Sequence, residues 1–333
     1  MWPNNSVWQR ASIGGGIALL ALLATLPLTS PAAEPVATRQ SQEFRVAGYL
    51  PDYRLAGFDL NQAEGVTDLI LFSAEPTPAG EIDWSRLKSA PWKSIWQWTT
   101  AQRVRLILAI GGWDRSAGFA AMSASPTSRK AFAENVVELC LRLRLDGIDL
   151  DWEHPEGAMQ AAAYGDLLHD LRTALEPHGL SLSVTLAAWQ TLDEKAAAAA
   201  DWIQIMSYDN PGRHSTLEQA RTDVATFTKR GVPHSRLVLG LPFYGRSVAD
   251  GKQTRTYAEI AANKKLPGTT DESEGIFFNG PKTIAEKVRW ARNEGLAGVM
   301  VWELGQDAIG DASLLRVIRG SVDGALKDRS NRP

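Results

Sequence analysis

Residues 146–153 read Asp146-Gly147-Ile148-Asp149-Leu150-Asp151-Trp152-Glu153. A strand turns successive side chains to opposite faces. Extended, this stretch puts Asp149, Asp151 and Glu153 on one face and Ile148, Leu150 and Trp152 on the other. Same-face neighbours on a strand lie roughly 6.5–7 Å apart, so the three carboxyls form a single file. Burying that file makes full ionisation costly; a proton must be shared and at least one pKa must rise. A carboxyl kept protonated near neutrality is what a general acid requires. The alternative is a solvated acidic strand edge, which would have no reason to alternate so strictly with Ile, Leu and Trp. Asp146 has the opposite parity and is assigned to structure.

Working outward, short apolar runs alternate with helical patterns. The predicted strands are 45–50, 67–73, 104–110, 147–152, 181–187, 202–207, 236–242 and 297–302. The predicted helices are 91–102, 127–143, 157–176, 215–230, 281–294 and one near 311–319. Strand–helix alternation repeated about eight times predicts an α/β chain closed into a (β/α)8 TIM barrel. An open doubly wound sheet would call for a glycine-rich phosphate turn, and Gly111-Gly112 lacks the spaced glycines of that fingerprint. In such a barrel the active site lies at the carboxyl ends of the strands. Those ends carry Tyr49 and Tyr53, Ser73 and Glu75, Gly111-Gly112-Trp113, the acidic file, Trp189, Met206/Tyr208/Asp209, Tyr244/Arg246 and Trp302. Acids and aromatics thus gather at one mouth.

Composition narrows the classes. Of 333 residues, 44% are hydrophobic and 22% charged, as in a soluble globular chain with an ample core. A net charge of −3 gives no electrostatic case for nucleic acid or an anionic membrane surface. The single cysteine, Cys140, precludes an intrachain disulfide, and the five histidines have no metal-ligand spacing, so no metal or cofactor is expected. Nothing in the sequence calls for an obligate protein partner. Arg10, the apolar stretch from Ile13 to Leu28 and Ser30-Pro31-Ala32-Ala33 resemble a secretory signal peptide over residues 1–33, with an uncleaved membrane anchor as the alternative. That predicts a secreted or periplasmic protein. A polar linker is expected at 34–43, one catalytic barrel at 44–320 and a polar tail at 321–333.

The chain resembles glycoside hydrolase family 18, the chitinase family, from about Arg45 to Gly320. The most specific match is the acidic stretch 146–153. Four more follow in order: Ala109-Ile110-Gly111-Gly112-Trp113 for the third strand, Met206-Ser207-Tyr208-Asp209 for the sixth, Gly240-Leu241-Pro242-Phe243-Tyr244-Gly245-Arg246 for the seventh, and Gly298-Val299-Met300-Val301-Trp302-Glu303 for the eighth. The resemblance implies a retaining hydrolase of chitin or other N-acetylglucosamine (GlcNAc) oligosaccharides whose nucleophile is the substrate's own acetamide, the known exception to two-carboxylate hydrolysis. It implies that Glu153 is the acid and later the base, that Asp151 holds the acetamide N–H, that Asp149 trades a proton with Asp151, and that Tyr208 donates to the acetamide. Trp302 would floor the site and Trp113 would stack on the leaving side. Tyr49, Met206, Asp209, Tyr244, Arg246 and Trp189 complete the expected substrate contacts. Peptidoglycan, the chitobiose core of N-glycans and a lectin-like binding role are the competing readings.

Two departures from the family pattern matter. Ala109 stands where many members carry a serine that stabilises the deepest Asp; Tyr49 is expected to take over, with Ser73 as a helper, and Asp149 is expected to be harder to ionise. The stretch between Arg246 and Val299 is too short for a full α+β insertion, with Thr256–Ile260 as its remnant. A shallower groove and endo action are therefore expected.

Overall fold

The computed structural model describes residues 44–262 and 266–330, so the predicted leader and linker lie outside the described residues. The barrel strands are β1 (Arg45–Pro51), β2 (Asp68–Pro76), β3 (Arg105–Gly111), β4 (Gly147–Asp151), β5 (Ser181–Ala187), β6 (Trp202–Met206), β7 (Leu237–Pro242) and β8 (Gly298–Trp302). Each pairs in parallel with the next, and β8 pairs with β1 to close the ring. The predicted (β/α)8 barrel is the observed fold. All eight predicted strands are present, with their ends displaced by three residues or fewer.

The helices around the ring include α1 (Trp92–Gln102), α2 (Pro126–Leu143), α3 (Gly157–Leu175), α4 (Leu217–Lys229), α5 (Pro281–Asn293) and α6 (Leu314–Ser330). On α3, Tyr164, Leu167, Leu168, Leu171 and Leu175 are buried. That is the i, i+3, i+4, i+7 stripe of a helix lying on a sheet, and full burial of one such leucine contributes about 1.5–3 kcal/mol. Helix starts follow the local chemistry. The Ser125 hydroxyl caps α2 with Pro126 at the first helical position, and the Thr216 hydroxyl caps α4. The last helix runs well beyond 319 and replaces much of the predicted tail. Its stripe explains why: Leu314, Leu315 and Ile318 are buried, Val322 packs against the same core, and Arg292 donates to the Val322 carbonyl at 2.8 Å.

Strand alternation sorts the sheet into two environments. Ile148, Leu150, Leu182, Val184, Leu186, Ile203 and Ile205 point out into the helix layer. The inward face carries Ala47, Tyr49, Ile70, Ile107, Ala109, Val238 and Met300, together with the polar cluster described below. The amino-terminal end of the barrel is plugged. Asp68 pairs with Arg45 at 3.2 Å and Arg105 at 2.8 Å, and the Arg45 guanidinium stacks 3.6 Å from the Trp202 ring centre. The Asp146 side chain accepts from the Leu106 amide at 2.8 Å, the structural role its parity implies.

Between β7 and β8 the sequence reading found only Thr256–Ile260. The structure adds a small antiparallel sheet, in the order Thr254–Thr256, Tyr244–Ser247, Ile276–Phe277, Glu272–Ser273, with a one-turn helix at Tyr257–Ala261. These strands are too short, and too rich in glycine and charge, to show a period of two. Among the described residues no helix is long and apolar enough to cross a membrane.

The end of β3 admits only glycine. Gly111 has φ +102°, and a Cβ there would overlap the Asp151 carbonyl oxygen. Gly111→Ala is therefore expected to cost about 1–3 kcal/mol from backbone strain alone, read as a lower thermal midpoint by circular dichroism. An unchanged midpoint would show that β3 and β4 can separate at the mouth without penalty.

Candidate active site

The acidic file runs up the inward face of β4. Asp149 is fully buried, Asp151 is 3% exposed, and Glu153 follows the strand end with a side chain 14% exposed. Register places Asp149 beside Ala109 on one side and Ser183 on the other.

Asp149 sits in a cage of donors. It accepts from Ser183 Oγ at 2.6 Å, Tyr49 Oη at 2.7 Å, Gln204 Nε2 at 2.8 Å and Thr185 Oγ1 at 2.9 Å. Burial raises its pKa, and these four hydrogen bonds oppose the rise. The expected Ser73 contact is absent: its hydroxyl donates to the Gly111 carbonyl at 2.7 Å and accepts from Arg115 at 3.1 Å. Tyr49 does donate to Asp149 as expected, and the further hydroxyls come from β5, across the other edge of β4. Sequence reasoning missed Ser183, Thr185 and Gln204, although the signal was present. Ser183 and Thr185 alternate with Leu182, Val184 and Leu186, and Gln204 lies between Ile203 and Ile205. A polar residue at an inward position of a barrel strand has to meet a partner there.

Asp151 differs. Its Oδ1 is buried and meets no partner among the described residues. Burial, then the charges of Glu153 and Asp149, push its pKa well above the usual carboxylate range. Gly112, at φ +98°, follows β3 directly; a Cβ there would run into the Phe72 ring and stand 3.5 Å from Asp151 Oδ2. A buried carboxyl oxygen without a donor is costly, and an N–H group brought to it would offset that cost.

Glu153 is pushed up to about 7, first by burial and then by the Asp209 and Asp114 charges, while the Trp113 amide opposes the rise. Its own amide donates to Ser116 Oγ at 3.0 Å, fixing the turn after β4. His154 Nε2 lies 3.6 Å from Glu153 Oε2, and burial lowers the His154 pKa, which favours the neutral ring. The outward Trp152 stacks on Phe119 at 5.3 Å and meets Tyr164 edge-on at 5.2 Å, locking the strand end from behind.

Around the acids, Trp302 is half-buried, 4.8 Å from the Phe72 ring and 5.5 Å from Tyr49. Met206 and Tyr208 pack against the same inner cluster. The Tyr208 hydroxyl lies 3.9 Å from Met300 Sδ, a weak acceptor. Asp209, in the left-handed region at φ +64°, accepts from Tyr244 Oη at 2.6 Å and pairs with Arg246 at 2.8 Å. Burial alone would raise its carboxyl, but His214, Tyr244 and Arg246 together hold it below the usual range. Trp113 and Trp189 are 70% and 64% exposed, and Trp189 meets His154 edge-to-face at 4.6 Å. Two flat apolar faces thus stand in solvent beside Glu153. Tyr49, expected as a sugar contact, is 1% exposed and belongs to the cage around Asp149. Among the described residues no cluster of His, Cys, Asp or Glu is arranged to hold a metal ion.

Comparison with known proteins gives a consistent picture. Residues 45–307 match the family model "Glycosyl hydrolases family 18". Chitinase 1 of Aphanocladium album is 28% identical over 272 residues, covering 64% of each chain. The chain spans roughly two thirds, 64–66%, of the length of this and similar curated relatives. A crystal structure of a chitinase from the chitin utilization locus of Flavobacterium johnsoniae superposes with a TM-score of 0.76 at 27% identity, covering 86% of this chain and 96% of that one. A chitinase-like agglutinin of Robinia pseudoacacia shares the fold at a TM-score of 0.72 and 22% identity, covering 83% of this chain and 99% of that one.

The raised Glu153 pKa is also a statement about stability. Between about 4.5 and about 7 the folded chain keeps a proton that the unfolded chain releases, so stability from this group falls as pH rises through that window. At about 1.4 kcal/mol per pH unit, the loss by pH 7 reaches about 3 kcal/mol. Glu153→Gln is therefore expected to unfold in denaturant near the parent midpoint at pH 4 and above it at pH 7. A constant gap across that range would contradict a buried, protonated Glu153.

Proposed function

This chain belongs to glycosyl hydrolases family 18, and from that premise we propose that it hydrolyses β-1,4 bonds in chitin or chito-oligosaccharides, with retention and with the substrate acetamide as nucleophile. The observation that carries this reading is the pairing of Glu153, pushed up to about 7, with Asp151, whose buried Oδ1 has no donor. The first is an acid ready to give a proton near neutrality; the second is an acceptor waiting for an amide N–H.

Glu153 gives its proton to the glycosidic oxygen as the bond to the anomeric carbon breaks. The acetamide carbonyl oxygen forms the new bond to that carbon, giving an oxazolinium. Asp151, its proton passed to Asp149, accepts from the acetamide N–H and as a carboxylate offsets the positive charge that develops. Tyr208, whose hydroxyl has the weak Met300 thioether acceptor at 3.9 Å, donates to the acetamide oxygen and holds it in line for attack. Glu153, now a carboxylate, takes a proton from water as the water oxygen attacks the anomeric carbon and the ring opens. Asp149, with four donors, carries negative charge when Asp151 holds the proton. Asp209, the mouth's other well-anchored carboxylate, is tied to Tyr244 and Arg246 and serves sugar contact. Trp302 forms the floor, and Trp113 and Trp189 are platforms for the leaving-side sugars.

Substrate and site of action belong to the same proposal. The short β7–β8 excursion supports a shallow groove and endo cleavage, and residues 1–33 support export. Product analysis on GlcNAc oligomers is expected to give mixed internal cuts, with muropeptides untouched; release of one product length from chain ends would overturn endo action. Glu153→Gln is expected to lose about 10²–10⁴-fold in turnover while still binding oligomers, as measured by calorimetry. Failure of the parent to cleave any GlcNAc polymer would leave a carbohydrate-binding protein. Ala109→Ser would set a hydroxyl beside Asp149, favouring its charged form and moving the acidic limb of kcat/KM to lower pH. An unmoved limb would mean that the β5 hydroxyls already saturate Asp149.

A further inference from the structure

One buried charge takes no part in this chemistry. Lys287 lies on the apolar stripe of α5, with Ile284, Val288 and Ala291, and is completely buried. A leucine or methionine there would serve helix packing without the cost of burying an amine. The amine instead spends its three N–H donors on Ser215 Oγ at 2.7 Å, Asn279 Oδ1 at 2.8 Å and the Ser215 carbonyl at 2.9 Å. Asn279 Nδ2 closes the ring by donating to the same carbonyl at 2.7 Å.

Ser215 is the far end of an excursion that leaves β6 at Ser207. Its hydroxyl, accepting from Lys287, donates to the Ser207 carbonyl at 2.8 Å. Ser207 Oγ donates to Asp223 of α4 at 2.6 Å, and Asp223 is steadied by Gln219 at 2.7 Å. Both ends of the excursion are therefore pinned to one point. Tyr208 and Asp209 follow Ser207 directly, and the Asp209 amide meets His214 Nδ1 at 3.4 Å, one residue before Ser215. His214 in turn packs 5.3 Å from the Tyr244 ring, which holds Asp209.

We propose that Lys287 is a positioning residue that sets Tyr208 and Asp209 for the reaction, acting through Ser215 and Ser207. The inference rests on the substrate-assisted reading above, because Tyr208 matters to kcat only if the acetamide must be aligned for attack. Burial pushes the amine down to about 7 against the pull of Asp271 and Asp223, and the three acceptors around it match the three N–H donors of the ammonium form.

The test compares the parent with Lys287→Met and Ser215→Ala on a soluble GlcNAc oligomer, well below each variant's thermal midpoint. A stable thiazoline analogue of the oxazolinium serves as the second probe. Both variants are expected to lose about 10–100-fold in kcat, the scale of a small misplacement, with KM within about twofold of the parent. Affinity for the thiazoline is expected to fall in step with kcat. A purely architectural role would lower the midpoint and leave kcat, KM and thiazoline affinity of the folded fraction as in the parent; that result overturns the proposal. Should Lys287→Met fail to fold, Ser215→Ala decides alone, since it keeps the Lys287 contacts to the Ser215 carbonyl and Asn279. A parent that neither turns over the oligomer nor binds the thiazoline overturns the function itself, and this inference with it.

Discussion

Three carboxyls share one face of one strand, and that face is inside a barrel. Nearly everything else at the mouth answers the electrostatic problem this creates. Burial raises all three acids, and the surroundings then treat each differently. Asp149 receives four donors and can hold charge. Asp151 meets no donor at Oδ1 among the described residues. Glu153, at the rim, keeps a side chain 14% exposed and is still shielded enough to be pushed up to about 7. The gradient from caged to open runs along a single strand, so one register error on β4 would abolish all three roles at once.

The barrel supplies the low dielectric that makes the gradient work. Its lower end is sealed by the Arg45–Asp68–Arg105 pairs stacked on Trp202. Its upper end is kept open by small residues where strands converge on the acids. Ala109 lies beside Asp149, Gly111 beside Asp151, and Gly240 leaves room for the Tyr208 ring, whose Cε1 a Cβ would approach to 2.8 Å. In water the same three carboxyls would ionise independently near pH 4. Here the attraction between charges and donors is strengthened, and so is the cost of leaving a group unpaired.

The architecture was legible in the sequence because barrel strands bury both faces and helices bury one, which gives periodicities that differ sharply. β5 was placed to the residue from Ser181–Ala187 alone. The acidic file was legible for the same reason: period-two alternation over 148–153 has few other meanings. What remained hidden was whatever depends on two strands at once. Ser183, Thr185 and Gln204 alternate correctly on their own strands, yet only the β4–β5–β6 register shows that they converge on Asp149. Ser73 was expected there because it ends a strand at the mouth, but it shares the parity of the helix-facing Leu69 and Leu71, and its hydroxyl turns to the Gly111 carbonyl. The small sheet after Tyr244 was missed because strands of two to four residues carry no period to read. Lys287 was visible as a cation on an apolar stripe, but its partners on another loop were not.

Topology alone cannot distinguish turnover from binding, since an agglutinin and a chitinase carry closely similar barrels. The distinction must lie in the energetics of a few side chains. Among the described residues two groups at this mouth lack a strong partner: a buried Asp151 oxygen meets no donor, and the half-buried Tyr208 hydroxyl has the Met300 thioether as its hydrogen-bond partner. Pairing such groups with an incoming ligand strengthens binding as much as turnover, unless the interaction is stronger in the transition state. With a carboxylic acid two residues further along the chain from Asp151, pushed up to about 7, the arrangement fits proton transfer to a leaving group better than retention of a ligand.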